Sequence, residues 1–533
     1  MQITKRHLHS WVNVIVAGFL IGISIKNNYI FLGIFSIAML YYNEKQLIKY
    51  SWKLYISGVF LSTQLIFLST VWWFNSITAG GWSESIWILS PQQWLMCSLV
   101  FASLLVSLVA IAPRLILKKY YEKHMHLEGF ALSWSMALVI TELLMSLAMS
   151  QITRGNGVPL IPSWNFWSSA LLIPDTKVGS FIKSTFGFWG SSFILYIFVA
   201  TFLDTLSRIR LNHTKKRLIQ SLLPLFILVF GVVLFISLST IIFDRNKLAK
   251  DNIEVAAVSS RASSNSYLEA ISKETTNDKT TIVVLPEYSS LLNPFPAGIL
   301  SFNNKDYLDI IKRNTSPNTL IIGTEDEYRD GKRFVVSYIL NNQMSVIRTR
   351  QKQFLVPGGE YITPWIDDLV SILDSKSINK FTKERGRHVL NQNVEINKDT
   401  KLSRQIGLGA CSTILTPFAY QHEVARGARI LTTSVSYEQF KRTPQYEKYA
   451  QRFAVFNAQA LKTPLVLSAF DGKALVIDSN GSIMQTKKDG ILRTTVNLRT
   501  STSLYARLGD RTIVLTMLIA TGIYLYFFRK RGL

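Results

Sequence analysis

Ile406–Pro417 reads IGLGACSTILTP. The run IGLGA is small and apolar and predicts a short buried strand, whose glycines let another backbone pass close by. Cys411 then stands at the strand's C-terminal end, the edge of an α/β sheet where active-site groups gather. A single cysteine can equally be a small buried hydrophobe, so its neighbours in the chain have to decide.

Outward from this stretch, β-rich runs recur at Thr281–Leu285, Leu320–Gly323, Phe334–Leu340 and Leu465–Ser468. Longer amphipathic stretches alternate with them. In 444–461 the apolar or aromatic positions Tyr446, Tyr449, Phe453, Phe456 and Leu461 recur at helical spacing. Strands alternating with helices predict an α/β domain over 244–511, long enough for a sizeable core. It has no internal repeat and no low-complexity tract.

The chain around this domain has another texture. Of 533 residues, 48% are hydrophobic and only 17% charged, which points away from an ordinary soluble enzyme. A bilayer core takes about 20 apolar helical residues. Runs of that kind lie at 54–74, 94–112, 130–150, 188–206, 218–243 and 512–528, and two shorter ones at 10–25 and 29–42 are separated by a tight turn at Lys26, Asn27 and Asn28. This predicts a membrane domain over 1–243 with about seven spans, and a last span with a basic tail over 512–533.

Loop charge supports the count. Lys5 and Arg6, then Lys45, Lys49 and Lys53, then Arg114, Lys118, Lys119 and Lys123, then Arg208 to Arg217, then Arg529 to Arg531 fall in alternate loops or ends, while 75–93 has no Lys or Arg. The positive-inside rule puts these basic loops in the cytoplasm and 244–511 outside it. The other long outer loop, 151–187, with Trp164 and Trp167, reads as a lid, an interfacial segment or a plain connection. The net charge of +24 is thus spread over loop ends rather than gathered on one face, which argues against nucleic-acid binding. The two cysteines, Cys97 and Cys411, lie in different domains, so neither a disulfide within the α/β domain nor a zinc spacing is expected.

Two further stretches carry chemistry. Thr281–Glu287 (TIVVLPE) brings Glu287 to a strand's C-terminal end, where a solvated loop carboxylate is the plain alternative. In Arg348–Trp365 (RTRQKQFLVPGGEYITPW), Lys352 precedes a Pro-Gly-Gly turn that aims Glu360. A thiol nucleophile needs a base and a positive group at the tetrahedral intermediate. Glu287 can supply the first, and Lys352 with the backbone N–H of Ser412 the second.

The order LPE, KQFLVPGGE and a strand-terminal cysteine resembles the nitrilase (carbon-nitrogen hydrolase) superfamily. The form running from Lys352 to Glu360, the seven spans before the domain and the one after it resemble the apolipoprotein N-acyltransferase family. KTPLVLSAFDG at 462–472 and SLYARLGD at 503–510 fit the same likeness, which covers nearly the whole chain. The resemblance implies an α-β-β-α sandwich outside a bacterial cytoplasmic (inner) membrane, on its periplasmic side. It implies a cysteine thioester at Cys411, Glu287 as general base, Lys352 at the oxyanion and Glu360 orienting the lysine and substrate. It also implies a phospholipid acyl donor, a lipoprotein amine as acceptor, and no cofactor or metal. Ser412 and Thr413 stand where the family carries Tyr and Glu. A relative with the same triad acting on another acyl or amide substrate, as in conjugation systems, stays open, as does a non-catalytic binding homologue.

Overall fold

The computed structural model describes residues 5–76, 91–124, 129–153, 162, 164–211, 215–244, 251–259, 281–289, 292–294, 300–302, 309, 312–313, 318–329, 332–352, 354–356, 401–440 and 444–529. The N-terminal half is helical: α1 (Lys5–Asn27), α2 (Ile30–Leu47), α3 (Trp52–Val71), α4 (Pro91–Ala110), α5 (Ala112–His124), α6 (Phe130–Ile152), α7 (Lys177–Leu211) and α8 (Lys215–Asp244). Among the described residues six helical stretches are long and apolar enough to cross a bilayer: His7–Asn27, Trp52–Phe74, Met96–Glu122, Phe130–Ile152, Lys177–Arg210 and Leu222–Ile242. This is a multi-pass membrane protein. The helix Ile30–Leu47 falls short because its last turn and a half, YYNEKQ, is polar. Asn28, with φ of 61°, makes the turn between the first two helices in the left-handed region that asparagine tolerates.

One stretch differs from the sequence reading. Residues 113–129 were expected to be a basic loop, yet Ala112–His124 is helical. Arg114 is fully buried, bonded through Nη2 to Glu44 Oε2 at 2.6 Å and through Nε to Oε1 at 3.0 Å. Trp134 Nε1 and Tyr55 OH donate to the same carboxylate, and Lys118 donates to the carbonyls of Ile48 and Tyr50. These cations hold the bundle together instead of lying in solvent.

The segment 151–187, where it is described, packs into the bundle. Trp164, Phe166, Trp167 and the short 3-10 turn Ser169–Leu172 are buried in the bundle. Glu142 of α6 holds them, accepting from Ser169 N at 2.8 Å, Ser168 Oγ at 3.1 Å and Tyr196 OH at 2.5 Å. A buried carboxylate needs that many donors, and the requirement fixes where the segment sits.

The C-terminal half is an α/β fold. Its strands are β1 (Asn252–Ser259), β2 (Thr281–Glu287), β3 (Leu292–Pro294), β4 (Leu300–Phe302), β5 (Thr319–Arg329), β6 (Lys332–Leu340), β7 (Val346–Gln351), β8 (Ile406–Ala410), β9 (Ile430–Ser436), β10 (Leu465–Phe470), β11 (Ala474–Ile477), β12 (Ile483–Lys487) and β13 (Gly490–Asn497). Among the described residues eleven strands join one sheet in the order β12-β11-β10-β1-β2-β5-β6-β7, with β13 on β1, β9 on β10 and β8 on β9. β3 and β4 form a separate hairpin-like pair. Helices α9 (Pro417–Ala425), α10 (Gln445–Leu461) and α11 (Leu504–Leu508) follow the later strands, and α12 (Arg511–Arg529) ends the chain.

The sheet folds back on itself as a sandwich. Side chains alternate along a strand with a period of two. Val255, Ala257, Ile282, Val284 and Ile339 meet Leu408, Ile430, Val466 and Val476 in one core, whereas Ala256, Val258, Val283, Leu285 and Tyr338 face the opposite way into another. The nearly continuous apolar runs noted in the sequence are strands covered on both faces.

The two halves join through α10. Its buried stripe of Tyr446, Tyr449, Phe453 and Phe456 lies against the membrane helices, with Phe453 stacked on Phe188 and Phe456 meeting it edge-on. Arg452 donates to the carbonyls of Ile25 and Leu171, and Lys183 of α7 donates to Gln459 Oε1 at 2.7 Å. Gly187 breaks α7 with φ of 69°, and a β-carbon there would lie 2.1 Å from the ring of Tyr505. Only glycine lets α11 press into that kink.

Candidate active site

β2 and β8 carry the first two groups. Glu287 ends β2, and the next residue, Tyr288, has φ of 58°, so the chain turns sharply as it leaves the strand. Cys411 follows β8 directly, with φ of 38°, and opens the 3-10 turn Cys411–Leu415. A left-handed non-glycine residue at a strand-to-helix turn costs about 1–3 kcal/mol and persists only where its surroundings hold it. Gly409 provides part of that hold: a β-carbon there would fall 2.1 Å from Tyr420 OH, so the small-residue strand admits the α9 tyrosine against its backbone.

The third group comes from β7. Arg348, Arg350 and Lys352 alternate along RTRQK, so all three side chains leave on one face. The ladder runs on to Lys352, whose N–H donates to Val335 O at 2.8 Å. Its Nζ donates to Glu287 Oε1 at 2.9 Å, with both side chains almost wholly buried. The other carboxylate oxygen accepts from Ser436 N at 3.2 Å, at the end of β9. Glu287 is thus gripped on both oxygens, one by a cation and one by the backbone.

The two arginines grip the cysteine strand. Arg348 donates to Ile406 O at 2.6 Å and to Ser403 O, and Arg350 to the carbonyls of Leu408 and Ala419. Both meet Glu423 of α9, at 2.9 Å for Arg348 and 3.4 Å for Arg350, and Glu423 also accepts from Leu408 N. Burial alone would raise the Glu423 carboxyl. Arg350 and Arg348, with the Leu408 N–H, outweigh it and hold the group below its ordinary value. Sequence reasoning missed Glu423. The alternating Arg348, Arg350 and Lys352, three cations at the period-two spacing of a strand face, were the signal that could have found it.

Ser412 Oγ donates to the carbonyl of Phe354, two residues beyond Lys352, and so ties the cysteine turn to the lysine strand. Ser412 and Thr413 are both buried. Tyr446 of α10 lies over the cysteine, its hydroxyl 3.3 Å from Sγ. Burial, Cys411 and Glu287 together raise the Tyr446 phenol well above its ordinary value, which marks the tyrosine as a neighbour of both. Tyr446 was read in the sequence only as part of an apolar helix stripe. Above it, Phe440 stacks at 4.1 Å between centroids, and Trp73, from the 3-10 turn Trp72–Ser76 that follows α3, lies 6.0 Å away.

The structure therefore brings Glu287, Lys352, Cys411 and Ser412 into one buried site, one aromatic layer from the membrane helices. Glu360 lies outside the described residues. Among the described residues no three His, Cys, Asp or Glu side chains gather as metal ligands. Chemically the site offers a thiol, a carboxylate and an ammonium group, the set needed for a covalent acyl intermediate.

No protein-family model matches the chain, and no curated protein matches it significantly. Among solved structures it is similar to Saccharomyces cerevisiae Nit3, a member of branch 10 of the nitrilase superfamily, at 18% identity over 46% of this chain and 90% of that one, with a TM-score of 0.29. A variant of the Nesterenkonia AN1 amidase from the nitrilase superfamily matches at 14% identity over 50% of this chain and 95% of its own, TM-score 0.29. The carbon-nitrogen hydrolase from Helicobacter pylori G27 matches at 15% identity, 51% and 95% coverage, TM-score 0.29.

Proposed function

We propose that this chain is a membrane acyltransferase that takes a fatty acyl chain from phospholipid onto Cys411 and passes it to the N-terminal amine of a lipoprotein. The observation that carries the reading is the buried Glu287–Lys352 pair, gathered with Cys411 beneath rings that belong partly to the membrane bundle. In this reading Glu287 takes the thiol proton as sulfur attacks the ester carbonyl. The ammonium group of Lys352 and the N–H of Ser412 stabilise the oxyanion. The intermediate collapses to a thioester, and Glu287 returns its proton to the departing lysophospholipid oxygen. The acceptor amine then attacks the thioester, and the thiol is restored. Because the thioester keeps the acyl group reactive, the chemistry closes without a cofactor.

The test is intact-protein mass after incubation with phospholipid vesicles. A mass gain of one fatty acyl chain, released by hydroxylamine, is the expected result. An unchanged mass would overturn the covalent step.

The reading also requires 244–511 on the outer, periplasmic face of an inner membrane, an orientation argued from loop charge. A reporter active only outside the cytoplasm should be active when fused near residue 300 and silent at residue 212. The reverse pattern would put the site in the wrong compartment for this acceptor.

Ser412 and Thr413 favour a second reading of the acceptor. Both are uncharged and small, so the acidic group that the resembled family sets beside its cysteine is missing here. A different amine, or slow use of the usual one, then follows. Expression in cells depleted of their own lipoprotein N-acyltransferase separates the two. Normal N-acylated lipoprotein by mass spectrometry retires the second reading, and acyl-enzyme without acylated lipoprotein supports it.

A further inference from the structure

Tyr446 sits in the first turn of α10 with its ring wholly enclosed. Phe440 stacks on it at 14°, Tyr437 meets it edge-on at 5.7 Å, and Trp73 closes another side. A buried phenol hydroxyl needs a hydrogen-bond partner. Among the described residues the one that Tyr446 has is Cys411 Sγ, at 3.3 Å. The helix that presents it is seated firmly, since Arg452 caps the carbonyls of Ile25 and Leu171, and Tyr449 OH donates to Thr70 O.

With a neutral thiol either group can donate. Once the thiol has lost its proton, sulfur can only accept, and the contact survives only as O–H to S⁻, a charge-assisted bond. That requires a phenol which keeps its own proton. Burial, then the charges of Cys411 and Glu287, hold Tyr446 in that form.

We propose that Tyr446 is a catalytic residue that donates its hydroxyl to the Cys411 sulfur and stabilises the thiolate in both half-reactions. The inference rests on Cys411 being the nucleophile. In the first half-reaction the thiol proton passes to Glu287, the S–C bond forms and the carbonyl π pair moves to oxygen. As that pair returns, the ester C–O bond breaks and the lysophospholipid oxygen takes the proton from Glu287. Tyr446 keeps its proton throughout and lowers the energy of the attacking thiolate. In the second, the acceptor amine forms the N–C bond and gives a proton to Glu287, the S–C bond breaks with its electron pair on sulfur, and the same hydroxyl hydrogen-bonds to that thiolate until Glu287 reprotonates it. Nothing is consumed at Tyr446.

Other titratable groups share the pocket: Glu287 from β2, Lys352 bonded to it, Tyr420 from α9, and Tyr437 just beyond β9. The experiment therefore compares variants in one background, the full-length Cys97→Ser protein in detergent micelles. The rate of iodoacetamide alkylation at Cys411 is followed against pH by intact mass, with no substrate present. Tyr446→Phe keeps the ring and removes only the hydroxyl. It should raise the thiol midpoint by about one to two pH units, the size of a hydrogen bond to a charged group. Acyl loading from phospholipid should fall about ten- to hundredfold with little change in the phospholipid concentration at half-maximal rate. Tyr449→Phe, one turn along the same helix, should leave the thiol midpoint in place. A midpoint unmoved by Tyr446→Phe overturns the proposal, as does an equal movement in Tyr449→Phe, which would trace the effect to helix seating. A shifted midpoint in a protein that never acquires an acyl chain supports the donor role and sinks the acyl-transfer reading instead.

Discussion

Replacing Cys411 by serine should abolish turnover, by about 10⁴-fold or more, and remove the acyl adduct, while Cys97→Ser should leave both intact. The magnitude follows from the unit the nucleophile belongs to, since removing one member of a nucleophile–base set forfeits nearly all that the set contributes. Serine is close to cysteine in size and fits the buried turn, so the fold stands. Its hydroxyl, however, ionises far less readily than a thiol, and the distances around Cys411 suit the larger sulfur. Cys97 lies in α4 and is exposed on the outside of the bundle, away from the α/β domain. The measurement is acyl loading by intact mass alongside product formation. Cys411→Ser with normal product would mean that the acyl group never visits the sulfur.

What could be read in the sequence divides along one line. Spans such as 54–74 and 130–150, and strands such as TIVVL and IGLGA, declare themselves because each buries most of its own residues, so local composition reports tertiary position. The sandwich of helix-flanked strands was legible for that reason. The basic loop at 113–129 misled because charge was taken as a sign of solvent. Arg114 is paired so completely with Glu44 that both side chains are fully buried, and a pair 70 residues apart leaves no local trace. The burial of Trp164 and Trp167 leaves no local trace either, since the donors that satisfy Glu142 come from a segment and a helix distant in the chain.

The site divides in the same way. Glu287, Lys352 and Cys411 each sit in a short motif, so they could be named. The groups around them come from elements that reach the site only through packing: Glu423 from the helix after the cysteine turn, Tyr446 from a helix whose pattern reads as plain amphipathicity, Trp73 from the end of a membrane span. That last contact also gives the membrane half a physical role. The ring that covers the ring over Cys411 belongs to the bundle, so one aromatic layer separates the thiol from the membrane helices.

Glu423→Gln should destabilise the α/β domain by about 3–5 kcal/mol, the cost of leaving buried cations without their counter-charge. The substitution keeps the size of the side chain and removes only the charge, yet Arg348 and Arg350 are both almost fully buried and both meet this carboxylate. Against a usual stability of about 5–15 kcal/mol, that is a large share. The loss also reaches catalysis, because the same arginines hold the carbonyls of Ile406 and Leu408 and so set where β8 ends and Cys411 begins. The turnover rate should therefore fall more than the apparent substrate affinity. Acid dependence gives an independent check. Burial raises the Glu423 carboxyl, Arg350 and Arg348 lower it more, and the folded value lies below the ordinary 4.5. A depressed folded value contributes stability that is fully present above the unfolded value and is lost as pH falls through the folded one. The wild type should accordingly lose stability as pH drops below about 4.5, and Glu423→Gln should lack that part of the slope. Thermal unfolding of the two proteins in detergent across this range measures both effects. Parallel curves, offset or coincident, would show that the Glu423 carboxylate is not what balances the two arginines.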